Sequence, residues 1–350
     1  MRKLLNDLVK GLGPARLIIV GFFILLCVAA LALGQDFAEL MSSSLVRVGM
    51  NGVLVLAMLP AIVGGIGPNF GVSLGILCGL IGGLLAIEMR LDGFVNLFAA
   101  IALSLPLAAV VGFGYGWLLN RVKGSEMMLA TFVGFSAVSG MKIAWLILPF
   151  QSPEMGWFLG RGVRVTVALS GRQVSQVLNN FLAFRIGGVV IPTGLLLFFG
   201  GCCLLVWLFL RSKAGIAMYT AGNNPRFAEA TGLNVDHYRI VATVVSTMLG
   251  AVGILVFAQS YGFLQLYEGP MYMPFVAVAA ILIGGASIKK ATMVHVLIGT
   301  FLFQAILVVA MPVANAFTVD MTSMAEISRI IIQNGIILYA LTQVEGEMQA

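Results

Sequence analysis

Charged side chains are scarce in this sequence. Of 350 residues, 20 are Lys or Arg and 14 are Asp or Glu, 10% in all. An ordinary soluble domain carries about 25%. Hydrophobic residues reach 60% and the mean hydropathy is +1.04. A water-soluble fold of this length cannot hide that much apolar surface, so most soluble folds, disorder, collagen and coiled coil are excluded. Histidine is scarcer still, with His237 and His295 each standing alone. The four cysteines, Cys27, Cys78, Cys202 and Cys203, lie inside apolar runs without metal-ligand spacing and read as small buried apolar residues. The sequence has no Walker A loop, no His/Cys/carboxylate cluster and no nucleophile–base pairing. It therefore offers no catalytic residues and no metal site, and it calls for no cofactor and no nucleic-acid partner. A polytopic membrane protein remains.

Ten apolar runs fill most of the chain: Leu17–Leu33, Leu45–Ile66, Val72–Ile87, Leu97–Leu119, Leu129–Pro149, Gly188–Leu210, Ile240–Phe263, Phe275–Gly285, Val294–Val313 and Glu326–Leu341. A bilayer core is about 30 Å thick and takes roughly 20 apolar residues per helix, fewer in short or re-entrant pieces. The runs are continuous rather than alternating, which argues against a strand barrel. A helix also keeps each backbone N–H bonded within its own segment. The expected fold is all-α: one membrane helical bundle over residues 1–350 with about ten transmembrane helices.

Placement of the basic residues orients the bundle. With the N-terminus inside, 12 of the 20 fall on the inner side, and four more (Arg161, Arg164, Arg172, Arg185) share one long outer segment, where charge counts less. The short outer loops carry mostly acids, among them Asp36, Glu39, Glu268 and Asp320. Both termini are expected on the cytoplasmic side. The first run follows basic residues but lacks the usual small-residue cleavage site, so it reads as a retained helix.

Two connections extend outside the bilayer. In the outer one, 150–187, Val174, Val177, Leu178, Phe181 and Leu182 recur at helical spacing. That predicts an interfacial amphipathic helix over Ser170–Ala183, with Trp157 and Phe158 at headgroup level. It could cap the bundle or dock an external partner, and its arginines suit an acidic surface. The inner connection, 211–239, is polar and mixed in charge. Asn223-Asn224-Pro225 reads as a turn and helix start, with Asn as a cap and Pro225 near the first helical position. Arg226 to Thr231 then forms one short helix, including Glu229, and Gly232 ends it. Such a rigid, capped helix suits a lever, although a simple solvated loop has the same composition.

This loop carries a family resemblance. Gly215-Ile-Ala-Met-Tyr219, Ala221-Gly-Asn-Asn-Pro225 and Ala228-Glu-Ala-Thr-Gly-Leu-Asn-Val235 resemble permease subunits of bacterial ABC importers. The branch is the one serving ribose and other simple sugars, branched-chain amino acids, purine nucleosides and autoinducer-2. Phe275-Val-Ala-Val-Ala-Ala-Ile-Leu-Ile-Gly-Gly-Ala-Ser287 looks like the branch's AIAAVVLGGTS segment, and Ile298-Gly-Thr300 resembles the GTLIGA that follows it. The likeness is good over Gly194–Leu341 and loose before. One departure stands out. Many sugar permeases of the branch have Gly-x-Asp-Leu-Ser-x-Gly after the second helix, whereas here Pro68 or Asn69 stands near the Asp place. The resemblance implies that residues around Asn223, Pro225, Arg226, Glu229, Thr231 and Gly232 couple the permease to an ATPase. It further implies ATP-binding cassette ATPase subunits, an extracytoplasmic substrate-binding protein, a second permease subunit and a bacterial inner membrane.

An importer must carry a polar solute past lipid, and irregular backbone at membrane depth is tolerated only where buried or lining a cavity. Gly64–Ser73 and Gly284-Gly285-Ala286-Ser287 fit, each following an Ala-Ile pair, although close helix packing through small residues would look the same. Polar residues within or beside spans complete the pathway candidates: Asn51, Asn69, Ser73, Gln259, Ser287 and Gln304, with Gln333 and Asn334 further along. Amides both donate and accept, which suits a neutral polar solute. Lys142 is the only full charge well inside a span and is expected to snorkel outward. The expected function is the membrane pathway for a simple sugar delivered by an external binding protein. The alternatives are a purine nucleoside or other small neutral solute on the same machinery, an ATP-independent secondary transporter, and a membrane-embedded enzyme.

Overall fold

The computed structural model describes residues 14–150, 152–156 and 162–316, together with 330, 331, 334, 335, 337 and 338. Among these, seven helices are long and apolar enough to cross a membrane, and two shorter apolar helices accompany them. The expected count of ten is therefore not reached within the described residues. Most of the tenth run, Glu326–Leu341, lies outside them, as do Trp157, Phe158, Arg161 and Gln333.

The first helices are α1 (Pro14–Ala32), α2 (Phe37–Leu56) and α3 (Met58–Val63). Helix α2 starts eight residues before the apolar run, because Asp36 caps it by accepting a 2.8 Å hydrogen bond from the Ala38 N–H. It breaks at Ala57, three residues before Pro60, which has no N–H to continue the ladder. The Ala57 carbonyl accepts a 2.7 Å bond from Ser246 Oγ instead. A 3-10 turn at Phe70–Val72 leads into α4 (Ser73–Glu88), followed by α5 (Gly93–Arg121) and α6 (Glu126–Ile147).

The chain then forms β1 (Thr166–Ala168), the one-turn helix α7 (Val177–Asn180) and a hairpin of β2 (Phe184–Ile186) and β3 (Val189–Ile191) closed by Gly187-Gly188. Next come α8 (Thr193–Arg211), α9 (Lys213–Asn223), α10 (Pro225–Ala230) and α11 (Val235–Tyr261). Strand β4 (Phe263–Gln265) pairs antiparallel with β1, and α12 (Gly269–Ile283) and α13 (Met293–Ala316) complete the described fold. Two run boundaries shift accordingly. The hairpin takes the first residues of Gly188–Leu210, and α12 begins six residues before Phe275.

The amphipathic helix expected over Ser170–Ala183 does not form. A 3-10 turn at Ser170–Arg172 and α7 are all that is helical there, because Gln173, Gln176 and Leu182 hold left-handed backbone. The cause is tertiary. Gln259 of α11 takes the segment's backbone donors, accepting from the Gln176 N–H at its carbonyl (2.6 Å) and from the Leu178 N–H at its side-chain oxygen (3.1 Å). Val174 and Leu178 still point into the core, whereas Phe181 and Leu182 stay exposed. Arg172 reaches Glu154 at 3.2 Å and Asp92 at 3.7 Å, so part of the segment's positive charge is already matched within the chain.

Helix α11 is the axis of the bundle. Its glycines and those of its neighbours let backbones nearly touch: a methyl group at Gly75 would lie 2.1 Å from the Thr247 carbonyl oxygen, and one at Gly79 would lie 2.5 Å from that of Ala251. Between membrane helices such close packing replaces the hydrophobic drive that lipid removes. The span Phe37–Val63 is 89% buried and Glu126–Ile147 only 17%, so α2–α3 lies in the interior and α6 presents most of its surface outward.

Candidate functional site

A cavity of about 840 Å³ lies between α2, α11, α12 and α13, at the end of the bundle that carries the two strand pairs. Its wall on α2 runs from Ser42 to Val55, about 20 Å at 1.5 Å per residue. Beyond Val55 every residue of α3 is buried, and the cavity does not continue to the other end.

Two of the six expected pathway residues line it, Asn51 and Gln304. The Nδ2 of Asn51 donates to the Arg47 carbonyl at 3.0 Å, leaving its own carbonyl oxygen as an acceptor. Asn334 also lines the cavity. The other four serve the fold. Asn69 is buried between Tyr115, whose hydroxyl donates to Oδ1 at 2.9 Å, and Ser246, which accepts from Nδ2 at 2.9 Å. Ser73 starts α4 and points its hydroxyl back to the Phe70 carbonyl. Gln259 holds the segment around Gln176–Leu178, while its neighbours Ser260 and Tyr261 reach the cavity. Ser287 accepts from the backbone N–H groups of Lys289 and Lys290 in a turn at the opposite end. Lys142 is half-buried on α6, away from the cavity.

Sequence reasoning missed Arg47 and Glu268, which both line the cavity. Arg47 lies at the start of the run Leu45–Ile66 and counts among the basic residues outside the inner set, so it did not stand among the pathway candidates. A signal was present: Ser43, Arg47, Met50 and Leu54 recur every three or four residues, with Asn51 beside Met50, the stripe a helix turns toward one side. Phe257, Tyr261 and Tyr272 add aromatic surface.

The second candidate element is the exposed segment around α10 at the opposite end. The Asn224 side chain accepts from the Phe227 N–H at 3.1 Å, Pro225 occupies the first turn, and Gly232 closes the C-terminus in left-handed backbone. The Leu233 N–H bonds back to the Ala228 carbonyl at 2.9 Å. Asn234 then caps α11 through the His237 N–H at 3.0 Å. Every residue of α10 except Ala228 is exposed, including Arg226, Phe227 and Glu229. Ile216 and Tyr219 of α9 are also exposed nearby in sequence, an apolar surface on an otherwise polar loop.

The two glycine pairs form matching helix ends. After α3, Gly64 N–H bonds to Pro60 O, Gly65 N–H to Ile62 O and Ile66 N–H to Ala61 O; after α12, Gly284 bonds to Ala280, Gly285 to Leu282 and Ala286 to Ile281. Gly65 and Gly285 both take positive φ, which is why glycine stands there. Both pairs also pack tightly. A methyl group at Gly284 would lie 2.0 Å from the His295 carbonyl, and one at Gly65 would lie 2.7 Å from the Gly222 Cα. They are close-packed joints that do not line the cavity.

Residues 40–341 match the model of the branched-chain amino acid transport system / permease component family. The chain belongs to this permease family. Among curated relatives, an autoinducer 2 import system permease protein of Yersinia pestis (strain Pestoides F) is 25% identical over 216 residues, 59% of this chain and 57% of its own length. Its counterpart in Escherichia coli O9:H4 (strain HS) is 26% identical over 180 residues, 49% of this chain and 50% of its own. The chain thus spans about half the length of these curated relatives. The solved structure of PsaBC from Streptococcus pneumoniae in complex with Fab covers 90% of this chain and 94% of that one, at 15% identity and a TM-score of 0.34. The multi-pass permease character read from the loop motifs and apolar runs stands on the family match.

Proposed function

We propose that the chain is the membrane pathway of an ATP-driven importer for a small, neutral, hydroxyl-rich solute, a simple sugar or sugar-like molecule. The observation that carries this reading is α10, a rigid helix capped at both ends and exposed on all but one residue. A helix of that kind transmits force without melting. With Arg226, Phe227 and Glu229 it offers two charges and an aromatic plug to a partner cleft. Asn223, Pro225, Thr231 and Gly232 fix its ends. The partner supplies ATP hydrolysis, since this chain has no phosphate loop of its own.

In this reading the α10 end, with its basic loops, lies on the cytoplasmic side of a bacterial inner membrane together with both termini, which the positive-inside tendency supports. The cavity then opens outward, where an extracytoplasmic binding protein delivers solute. The outer segment 150–187 is the natural docking surface for that protein. A second permease subunit completes the pathway, and the peripheral helices face lipid. The amides of Asn51 and Gln304 suit a hydroxyl-rich cargo, and the import of autoinducer 2 named for the relatives is of this kind. The aromatic side chains of Phe257, Tyr261 and Tyr272 favour a purine nucleoside as the second reading.

Tagging the chain and purifying it from its native membrane tests the first part: an ATPase subunit should follow it. Alanine at Arg226 or Glu229 should abolish the solute-stimulated share of that subunit's hydrolysis while the complex still assembles. Full stimulation in both variants would overturn the coupling role of α10. Thermal shifts of the cognate binding protein with ribose, adenosine and leucine distinguish the cargo classes.

A further inference from the structure

Arg239, in the first turns of α11, is almost fully buried, and its guanidinium ties together three other elements. It pairs with Glu126 Oε1 at the start of α6 at 2.5 Å, donates from Nε to Asn120 Oδ1 near the end of α5 at 3.0 Å, and reaches the Gly65 carbonyl from Nη1 at 3.4 Å. A buried arginine in such a fork is geometrically specific, because three directions are fixed by one planar group. Asn120 in turn donates to the Asp236 carbonyl at 2.8 Å, and Lys123 pairs with the Asp236 side chain at 2.7 Å. The Gly65 turn is held from its other side by Gly222, where an added methyl group would lie 2.2 Å from the Val63 carbonyl.

These contacts define a continuous line. Gly222 is three residues before α10. The Gly64–Gly65 turn ends α3, and α3 continues α2, whose Arg47, Met50, Asn51 and Leu54 line the cavity. We propose that Arg239 is a positioning residue for transport: with Glu126 and Asn120 it anchors the Gly65 turn so that displacement of α10 through Gly222 is delivered to the cavity wall on α2. Without the anchor, α10 still moves with its partner but the wall does not follow. The inference rests on the coupling role proposed for α10 and goes beyond it, naming what lies between the lever and the cavity.

The test uses the assembled complex, with cysteine reporters at the two ends of the line, Ala230→Cys on the exposed last turn of α10 and Met50→Cys in the cavity. Maleimide labelling rates are compared with and without vanadate-trapped ATP. In the parent complex both rates change. In Arg239→Lys, which keeps the charge but loses the planar fork, the Ala230→Cys response is retained and the Met50→Cys response falls at least tenfold. Glu126→Gln and Gly222→Ala give the same split. An undiminished Met50→Cys response in Arg239→Lys overturns the proposal. So does parallel loss of both responses, or failure of all three variants to assemble, since either makes the cluster a folding element only. If Ala230→Cys does not respond in the parent complex, the coupling role of α10 itself fails, whatever the variants do.

Discussion

Asn69 is asked to donate and accept at once. Tyr115 gives it a proton, and it gives one to Ser246, whose own proton goes to the Ala57 carbonyl freed at the helix break. An aspartate could accept from Tyr115 but could not donate to Ser246. The pocket around Asn69 is therefore built for an amide rather than a carboxylate. Asn69→Asp and Asn69→Ala should each cost about 1–3 kcal/mol, the usual penalty for leaving a buried partner unpaired. Thermal unfolding of the purified chain in detergent measures it, and an unchanged midpoint in both variants would contradict the assignment. Asn51 and Gln304 belong to the other class. Alanine at either should raise the KM for uptake with the unfolding midpoint nearly unchanged. Polarity within an apolar run made all of these residues visible in the sequence. It could not separate those facing a cavity from those paired inside the bundle, because that depends on partners such as Tyr115 and Ser246, 46 and 177 residues away.

At the scale of elements, local chemistry decided what was legible. Helix α10 was readable because its signals lie within ten residues: an Asn cap, a proline in the first turn and a glycine after the last. Removing the cap with Asn224→Ala should cost about 1 kcal/mol and lower the solute-stimulated hydrolysis of the complex without abolishing it. The segment 170–183 shows the opposite case. Its apolar spacing is helical, yet a single side chain on α11, Gln259, draws its N–H groups out of a helical ladder. Gln259→Ala should therefore loosen the segment, read as faster amide exchange at Gln176 and Leu178. Glycines separate in the same way. Gly75→Ala on α4 presses a methyl group onto the Thr247 carbonyl and should cost about 1–3 kcal/mol. Gly114→Ala on α5 meets nothing within 4 Å and should be neutral or slightly stabilising. Equal effects of the two on the unfolding midpoint would contradict the packing around α11.

For the whole molecule, the membrane class was plain from composition, since no other packing accommodates so much apolar surface. The count of spans was less plain. The runs mark apolar stretches, but caps such as Asp36, breaks such as Ala57 and the Gly187-Gly188 hairpin set where helices begin and end. Scarcity of charge suggested a neutral pathway, and Arg47 and Glu268 qualify that: the cavity carries one charge of each sign among its amides, hydroxyls and rings. Its reach, about 20 Å along α2, leaves a closed layer of buried α3 residues before the α10 end. Under the proposed function, opening that layer is the step that ATP drives. The most direct measurement is uptake of the binding protein's cognate solute into proteoliposomes holding the purified complex. The account predicts uptake that requires ATP on the α10 side and is lost in Glu229→Ala. Uptake driven equally well by a proton or sodium gradient in the absence of ATP would contradict it.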